Sequence, residues 1–310
     1  MRKTFVKTLE NLAEKDKNLF ILTGDLGNFF KSFAEKFSDR FINCGVSEEN
    51  MIGVAAGLAL SGKNVYCYSI VPFLTMRALE KIRVDICYHN LNVKLLGAGG
   101  GLLYGIEGMT HHSIEDIAVM RSLPNMTVVA PADLQEAELL AKESLDFKGP
   151  LYIRLGRDNQ LAVHETTPNA TPNFKIGKGI LIKKGENIAL ISCGTLVYET
   201  KKAAEILEKK GIKVSLVSLP TLKPLDNELI KNLSENHKFI FTIEDHNYIG
   251  GLGDAVLDIL NNLSFRGVFK KIALPDEYSK YIGSVDYLYK KYGLDSESIA
   301  EFVLKETKNI

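Results

Sequence analysis

Residues 44–59 read CGVSEENMIGVAAGLA, and this stretch largely decides how the chain is interpreted. A glycine turn precedes Ser47, a residue type that often begins a helix, and the small and apolar residues that follow predict a helix over 51–60. Glu48 and Glu49 then fall in the first turn of the helix, where a carboxylate complements the helix dipole. Glu48 also follows directly on an apolar, strand-like segment. The stretch therefore predicts a strand, a turn and a close-packed helix that begins with a carboxylate.

Composition narrows the class of protein. The chain has 310 residues, of which 45% are hydrophobic, so it is long enough for about two domains with packed cores. Its 38 basic and 38 acidic residues give a formal net charge of zero, so no overall positive field attracts nucleic acid or an acidic membrane. No apolar run approaches the roughly 18 residues of a membrane span. The four cysteines form no Cys-x-x-Cys, so we predict reduced core thiols in a cytoplasmic protein.

Apolar strands alternate with helices on both sides of one polar stretch. The predicted strands are 19–23, 42–46, 64–70, 93–97, 151–157, 188–193, 213–218 and 238–244. The polar stretch, 164–175, holds two prolines and few apolar side chains, which is typical of a linker. Strands that alternate with helices indicate a parallel sheet. We therefore predict an α/β protein of two domains, 1–163 and 176–310, each a mostly parallel sheet flanked by helices.

The central stretch resembles the pyrimidine-domain motif of transketolases and related thiamine-diphosphate enzymes, which is Gly-Val-x-Glu-x-x-Met before an Ala/Gly-rich helix. The resemblance implies that Glu48 is catalytic: it hydrogen-bonds N1′ of the cofactor's aminopyrimidine, so that the proton at C2 of the thiazolium can be removed. It also implies a pyrimidine-binding domain followed by a transketolase C-terminal domain. The alternative reading of Glu48 is an acid that only complements the helix dipole.

Two more residues are candidates for cofactor contact. Asp25 follows the strand 19–23, at the carboxyl end of a parallel sheet, where ligands bind. The resemblance makes it a neighbour of the cofactor, although an aspartate between glycines is also an ordinary turn residue. Phe73 follows the strand 64–70 and is the nearest candidate for the aromatic that relatives stack on the pyrimidine ring. The alternative is a core phenylalanine.

The substrate residues come from a third segment. Residues 105–116 resemble the transketolase segment Gly-x-Asp-Gly-x-Thr-His, which ends in a substrate-facing histidine. His111 takes that place and is predicted to steady an oxyanion and hydroxyls by hydrogen bonding. His112 fits the variant of the 1-deoxyxylulose-5-phosphate synthases. The pair could instead bind metal, but no further ligand lies at suitable local spacing, so we predict no metal site. Glu107 replaces an aspartate that contacts a substrate hydroxyl.

The predicted phosphate site is incomplete. Arg157 matches an arginine that binds the sugar phosphate in transketolases, although an arginine at a strand end pairs equally well with a carboxylate. Gly99 stands near a phosphate-binding histidine of the family, and Asn28 and Phe29 stand where relatives carry serine. The glycines at 99–101 could cradle a phosphate but lack a known spacing. The substrates are therefore expected to be sugars that are phosphorylated, nucleotide-linked or otherwise unusual.

Full-length relatives begin with a further domain that holds Mg²⁺ and the diphosphate through Gly-Asp-Gly and a later Asn-Asn. This sequence has no Gly-Asp-Gly, and its Asn261-Asn262 has no such partner upstream. The resemblance therefore implies the C-terminal subunit of a split transketolase. Its cofactors would be thiamine diphosphate and Mg²⁺, and it would act with an N-terminal subunit, as a heterotetramer with two copies of each chain. His246 is expected to serve packing, as the corresponding segment does in relatives.

Three functions are compatible with these patterns. The leading one is transfer of a two-carbon ketol unit from a ketose to an aldose. The second is a decarboxylating reaction of the kind carried out by 1-deoxyxylulose-5-phosphate synthases or 2-oxoacid dehydrogenase β-subunits. The third is a non-catalytic scaffold subunit, against which the intact Glu48 and His111 argue.

Overall fold

The structure is a computed structural model that describes residues 1–164 and 172–308. Its helices are α1 (Arg2–Ala13), α2 (Lys31–Lys36), α3 (Glu48–Leu60), α4 (Leu79–Lys81), α5 (Asp116–Ser122), α6 (Leu134–Asp146), α7 (Val197–Lys209), α8 (Asn227–Asn236), α9 (Leu252–Asn262), α10 (Val285–Tyr292) and α11 (Ser296–Lys308). Its strands are β1 (Leu19–Thr23), β2 (Phe41–Asn43), β3 (Asn64–Ile70), β4 (Val93–Ala98), β5 (Thr127–Val129), β6 (Leu151–Leu155), β7 (Ile180–Lys183), β8 (Asn187–Ser192), β9 (Ser215–Ser218), β10 (Thr221–Lys223), β11 (His237–Asn247) and β12 (Val268–Leu274).

The first sheet has seven strands in the order β10-β5-β6-β4-β3-β1-β2. All neighbours are parallel except β10, which pairs antiparallel with β5. The central strand β4 is buried along its whole length, as expected for a parallel sheet covered on both faces. Because β10 comes from the second half of the chain, the second domain completes the first sheet.

The second sheet has five strands in the order β12-β11-β8-β9-β7. Only its edge strand β7 is antiparallel to its neighbour. The prediction of two domains with mostly parallel sheets is therefore confirmed. Of the predicted linker, residues 165–171 lie outside the described residues. Within the described part of the chain, no helix is long and apolar enough to span a membrane.

Several local predictions need correction. Ser47 precedes α3, but its side chain makes no capping hydrogen bond. The strand predicted over 42–46 ends at Asn43. Residues 113–115 precede the helix rather than belonging to it: Gly101 and Ser113 form an isolated antiparallel bridge, and α5 starts at Asp116. The helical segment after β3 is wound largely as π-helix, over Phe73–Arg77 and Ile82–Tyr88, which the sequence pattern does not reveal.

The cysteines lie as the sequence predicts. Cys67, Cys87 and Cys193 are buried, Cys44 is partly buried, and all four are free thiols. Burial raises the pKa of the Cys87 thiol to about 11 and that of Cys193 well above its ordinary value. Because a thiolate is the nucleophilic form, these thiols are inert packing groups.

Candidate active site

The carboxylate of Glu48 is buried at the first position of α3, where only 1% of its side chain is exposed. Its Oε1 accepts a hydrogen bond of 2.9 Å from the Ser69 hydroxyl, near the carboxyl end of β3. Its Oε2 accepts one of 2.6 Å from Nη1 of Arg77. The neighbouring Glu49 is exposed. The structure therefore separates the two acids of the central stretch, because only Glu48 turns into the protein.

The loop after β1 passes very close to this carboxylate. A Cβ atom at Gly24 would lie 3.1 Å from Oε1 of Glu48 and 3.3 Å from Oγ of Ser69, so a side chain there would crowd both groups. The next residue, Asp25, is exposed and has a left-handed backbone with φ of 61°. Its N–H donates to Oδ1 of Asn43 over 3.1 Å. Asp25 therefore has the backbone geometry of a turn residue, and it lies at the sheet edge where the cofactor contact is predicted.

Four side chains lie in a row beside Glu48. The guanidinium carbon of Arg77 is 4.5 Å from the ring centroid of Phe73. The Phe73 and His111 rings are 5.1 Å apart at 70°, and the His111 and Tyr104 rings are 5.8 Å apart at 65°. The π-helical winding after β3 places both Phe73 and Arg77 on this row. The structure therefore brings together three residues predicted from separate segments, namely Glu48, Phe73 and His111.

The two adjacent histidines have different surroundings. His111 is half-buried, and its Nδ1 lies 2.9 Å from Oγ1 of Thr110. His112 is buried, and its Nε2 donates to the carbonyl of Gly105 over 3.2 Å. Burial lowers the pKa of His112, which favours its neutral form. Among the described residues, no group of three His, Cys, Asp or Glu side chains could hold a metal ion.

The other two predicted substrate residues lie on loops. Glu107 is exposed at the end of the short turn Gly105–Glu107. Arg157 follows β6 and lines an open cleft of about 550 Å³ between the two domains. Its side chain makes no hydrogen bond or ion pair with any other described residue. A guanidinium without a carboxylate partner is available for an anionic ligand.

Sequence reasoning missed a second arginine near this cleft. Arg2 donates to the hydroxyl of Tyr104 over 3.3 Å and to Asp158 over 3.4 Å, and its guanidinium carbon lies 4.9 Å from the Phe29 ring centroid. Asp158 also accepts the backbone N–H of Lys3 over 2.9 Å, which ties the start of α1 to the loop after β6. No local signal marks Arg2, because its position depends on contacts with loops far away in sequence.

The glycines at 99–101 do not form the phosphate cradle that the sequence left open. A Cβ atom at any of the three would overlap a side chain: Tyr104 at Gly99, Arg154 at Gly100 and Asp245 at Gly101. Gly99 and Gly101 also have positive φ, of 75° and 65°. These glycines are therefore explained by close packing of large side chains over the backbone.

Arg154 forms a buried ion cluster between the domains. Its Nε donates to Asp116 over 2.9 Å, and its Nη1 donates to Asp245 of the second domain over 2.6 Å. The hydroxyls of Tyr152 and Tyr289 donate to the same two carboxylates, over 2.6 and 3.1 Å. Burial alone would lower the pKa of Arg154, but the two carboxylates raise it well above its ordinary value. Asp116 thus pairs with an arginine as well as beginning α5.

His246 has the packing role expected from the sequence. It is fully buried, its Nδ1 donates to the carbonyl of Asn247 over 2.8 Å, and its Nε2 accepts the N–H of Ala118 over 3.2 Å. Both ring nitrogens are therefore engaged by backbone groups, one of them in the first domain.

Comparison with known proteins gives consistent matches over most of the chain. The family model for the transketolase pyrimidine binding domain matches residues 1–161, and that for the transketolase C-terminal domain matches residues 177–299. A protein of Methanocaldococcus jannaschii, named as a transketolase C-terminal section, is 40% identical over 99% of this chain and 96% of its own length. One of the subunits of the apulose-4-phosphate transketolase of Phocaeicola vulgatus is 36% identical over 99% of this chain and 97% of its own.

A solved structure matches as well. It is a split gene transketolase, described as an inactive beta4 tetramer, and it is 34% identical to this chain. The superposition covers 98% of this chain and 96% of that one, with a TM-score of 0.86. The matched proteins therefore have the same two domains over nearly their whole length.

Proposed function

This chain belongs to the transketolase family as a C-terminal section, and we propose that it contributes the aminopyrimidine site of a two-subunit, thiamine-diphosphate-dependent transketolase. The reaction is transfer of a two-carbon ketol unit from a ketose to an aldose. One observation carries the proposal: the Glu48 carboxylate is buried at the carboxyl end of the sheet, with Gly24 close beside it and the Phe73 ring nearby. A buried carboxylate beside an aromatic face suits a flat heterocycle that has a ring nitrogen to hydrogen-bond.

When bound, thiamine diphosphate supplies the carbon nucleophile that breaks and forms carbon–carbon bonds. Glu48 shares a proton with N1′ of the aminopyrimidine, and the Ser69 hydroxyl keeps its other oxygen engaged. Phe73 offers its ring to the pyrimidine, and Asp25 borders the same sheet edge. His111, oriented by Thr110, hydrogen-bonds the substrate oxygen on which negative charge develops.

The diphosphate of the cofactor and its Mg²⁺ are proposed to be bound by a partner subunit. Mg²⁺ is bound by oxygen ligands such as carboxylates, and the described residues offer no cluster of acids for it. We therefore assign the Mg²⁺ and diphosphate ligands to an N-terminal subunit, in a cytoplasmic heterotetramer with two copies of each chain. The inactive state named for the related beta4 tetramer supports this dependence on a second kind of subunit.

The substrate is proposed to be a sugar phosphate, because Arg157 lines an open cleft without a carboxylate partner among the described residues and Arg2 lies next to Tyr104. One relative is named for apulose-4-phosphate, which is such a sugar. The exposed Glu107 is proposed to contact a substrate hydroxyl.

Arg157→Ala should raise the KM for a phosphorylated substrate about tenfold or more, since a charge-assisted hydrogen bond contributes about 1.5–3 kcal/mol. An unchanged KM for every phosphorylated donor and acceptor would show that Arg157 does not bind the substrate phosphate.

The decisive experiment is reconstitution. The isolated chain should show no ketol transfer, and activity should appear when a chain that carries Gly-Asp-Gly and Asn-Asn is added with thiamine diphosphate and Mg²⁺. As a matched control, the Glu48→Gln chain should form the same complex without activity. Mg²⁺-dependent turnover by the isolated chain would contradict the proposal. Release of CO₂ from pyruvate by the complex would instead identify the decarboxylating alternative, and an active Glu48→Ala complex would identify a scaffold subunit.

A further inference from the structure

Arg77 makes two contacts with the residues that are proposed to receive the aminopyrimidine. Its Nη1 donates to Oε2 of Glu48 over 2.6 Å, and its guanidinium carbon lies 4.5 Å from the centroid of the Phe73 ring. A guanidinium is flat, donates hydrogen bonds in its plane and stacks on aromatic rings. It therefore hydrogen-bonds the same carboxylate and stacks on the same ring that an aminopyrimidine would use.

The two side chains differ in exposure, so that Arg77 can move away while Glu48 stays in place. Only 1% of the Glu48 side chain is exposed, whereas 42% of the Arg77 side chain is exposed. Arg77 can thus move into solvent without unpacking the core, while the carboxylate stays fixed. Ser69 remains bound to Oε1, so the oxygen that changes partner is Oε2.

We propose that Arg77 is a positioning residue that occupies the aminopyrimidine position in the subunit without cofactor and is displaced when thiamine diphosphate binds. This inference rests on the proposed function of Glu48. The arginine gives the buried carboxylate a hydrogen-bonding partner and holds Oε2 in place before assembly. Cofactor binding then exchanges one hydrogen-bond donor at Oε2 for another. The exchange makes Arg77 a competitor of the cofactor.

The test is equilibrium binding of thiamine diphosphate, with saturating Mg²⁺, to the reconstituted two-subunit complex. Arg77→Met should tighten binding by up to about fivefold, the factor expected when a partly exposed ion pair no longer competes. Glu48→Gln should weaken binding, and Arg77→Met should add no gain in the Glu48→Gln background. Arg83→Met is the matched control, since Arg83 lies further along the same helical segment and pairs with the exposed Glu80, at 3.8 Å.

The outcomes separate two kinds of failure. If Glu48→Gln leaves cofactor affinity unchanged, the proposed cofactor contact is wrong and the inference falls with it. If Glu48→Gln weakens binding but Arg77→Met weakens it too, Arg77 assists the cofactor and only the inference is overturned. Crystal structures of the free subunit and the loaded complex provide a second readout that needs no variant. The Arg77–Glu48 contact should be present in the first and absent in the second; its persistence in the loaded complex would overturn the inference.

Discussion

Two arginine–carboxylate pairs in this protein have the same chemistry and opposite surroundings. Arg154 is 4% exposed, and its partners Asp116 and Asp245 are 0% and 1% exposed. Arg77 is 42% exposed, although its partner Glu48 is as buried as the two aspartates. Arg154 also donates to the carbonyls of Ser113 and Asp245, so several of its N–H groups are satisfied within the protein.

The comparison shows that the exposure of the arginine decides whether a buried carboxylate stays in a fixed ion pair or can exchange its partner for a ligand. At the domain junction both partners are enclosed, so separating them would leave a charge in the interior without water. At the candidate site the cation lies at the surface, so another donor can replace it. The first pair therefore holds the domains together, and the second is suited to exchange with a ligand. The predictions below test this difference, beginning with the largest expected effect.

Arg154→Met should lower the free energy of unfolding by about 3–5 kcal/mol, the usual cost of removing one partner from a buried ion pair. The matched variant Arg77→Met should lower it by about 1 kcal/mol or less, because water reaches Glu48 once the exposed side chain is gone. Urea unfolding of both isolated variants measures the two values. Equal losses would show that exposure does not distinguish the pairs.

Asp245→Asn should have an intermediate effect, because Asp116 still neutralises Arg154. The expected loss is about 1.5–3 kcal/mol, the contribution of one hydrogen bond to a charged group. The same urea titration measures it, with Asp276→Asn on the exposed surface as a control. A loss as large as that of Arg154→Met would mean that the second carboxylate alone cannot compensate the buried arginine.

A third contact between the domains should respond to pH, unlike the arginine pairs. The buried Glu136 lies 2.8 Å from Nε2 of His164 and accepts a 2.8 Å hydrogen bond from Ser218 of the second domain. Burial would lower the pKa of His164, but the hydrogen bond to Glu136 raises it above its ordinary value of 6.5. When the pKa of a histidine is higher in the folded state than in the unfolded state, the histidine stabilises the folded state. This stabilisation is fully present at pH values below the unfolded-state pKa, and it is lost as pH rises through the folded-state pKa.

The advantage of the parent chain over His164→Gln should therefore shrink, by about 1 kcal/mol, as pH rises from about 6 into the alkaline range. Thermal or urea unfolding at a series of pH values measures this difference. The advantage of the parent over Arg154→Met should stay constant across the same range, since the raised pKa of Arg154 lies far above it. A His164 effect that grows with pH would have the wrong sign and would contradict the assignment.

The sequence predicts the parts of this protein that depend on local pattern. Strands β1 and β3 have the predicted bounds because buried parallel strands form continuous apolar runs between polar turns. Glu48 could be singled out because its motif lies within one turn and one helix. The fold class follows from the alternation of strands and helices alone.

Contacts between distant segments were not predictable in the same way. The cluster of Asp116, Arg154 and Asp245 joins a helix, a strand of the first sheet and a strand of the second, and none of the three carries a distinctive local pattern. The same holds for β10, which crosses to the first sheet, and for Arg2, which reaches Tyr104. Arg77 could not be singled out from the sequence, because its contact with Glu48 depends on the π-helical winding after β3.

The central claim, that Glu48 is the acid–base contact of the cofactor, is tested most directly by the cofactor's own proton. In the reconstituted complex, exchange of the C2 proton of thiamine diphosphate with deuterium can be followed by quenched-flow proton NMR. Glu48→Gln should slow this exchange by about 10²–10⁴, the usual contribution of a positioned acid–base group. Glu49→Gln should change it little, because Glu49 is exposed one residue further along α3. Normal exchange with Glu48→Gln and crippled exchange with Glu49→Gln would contradict the account.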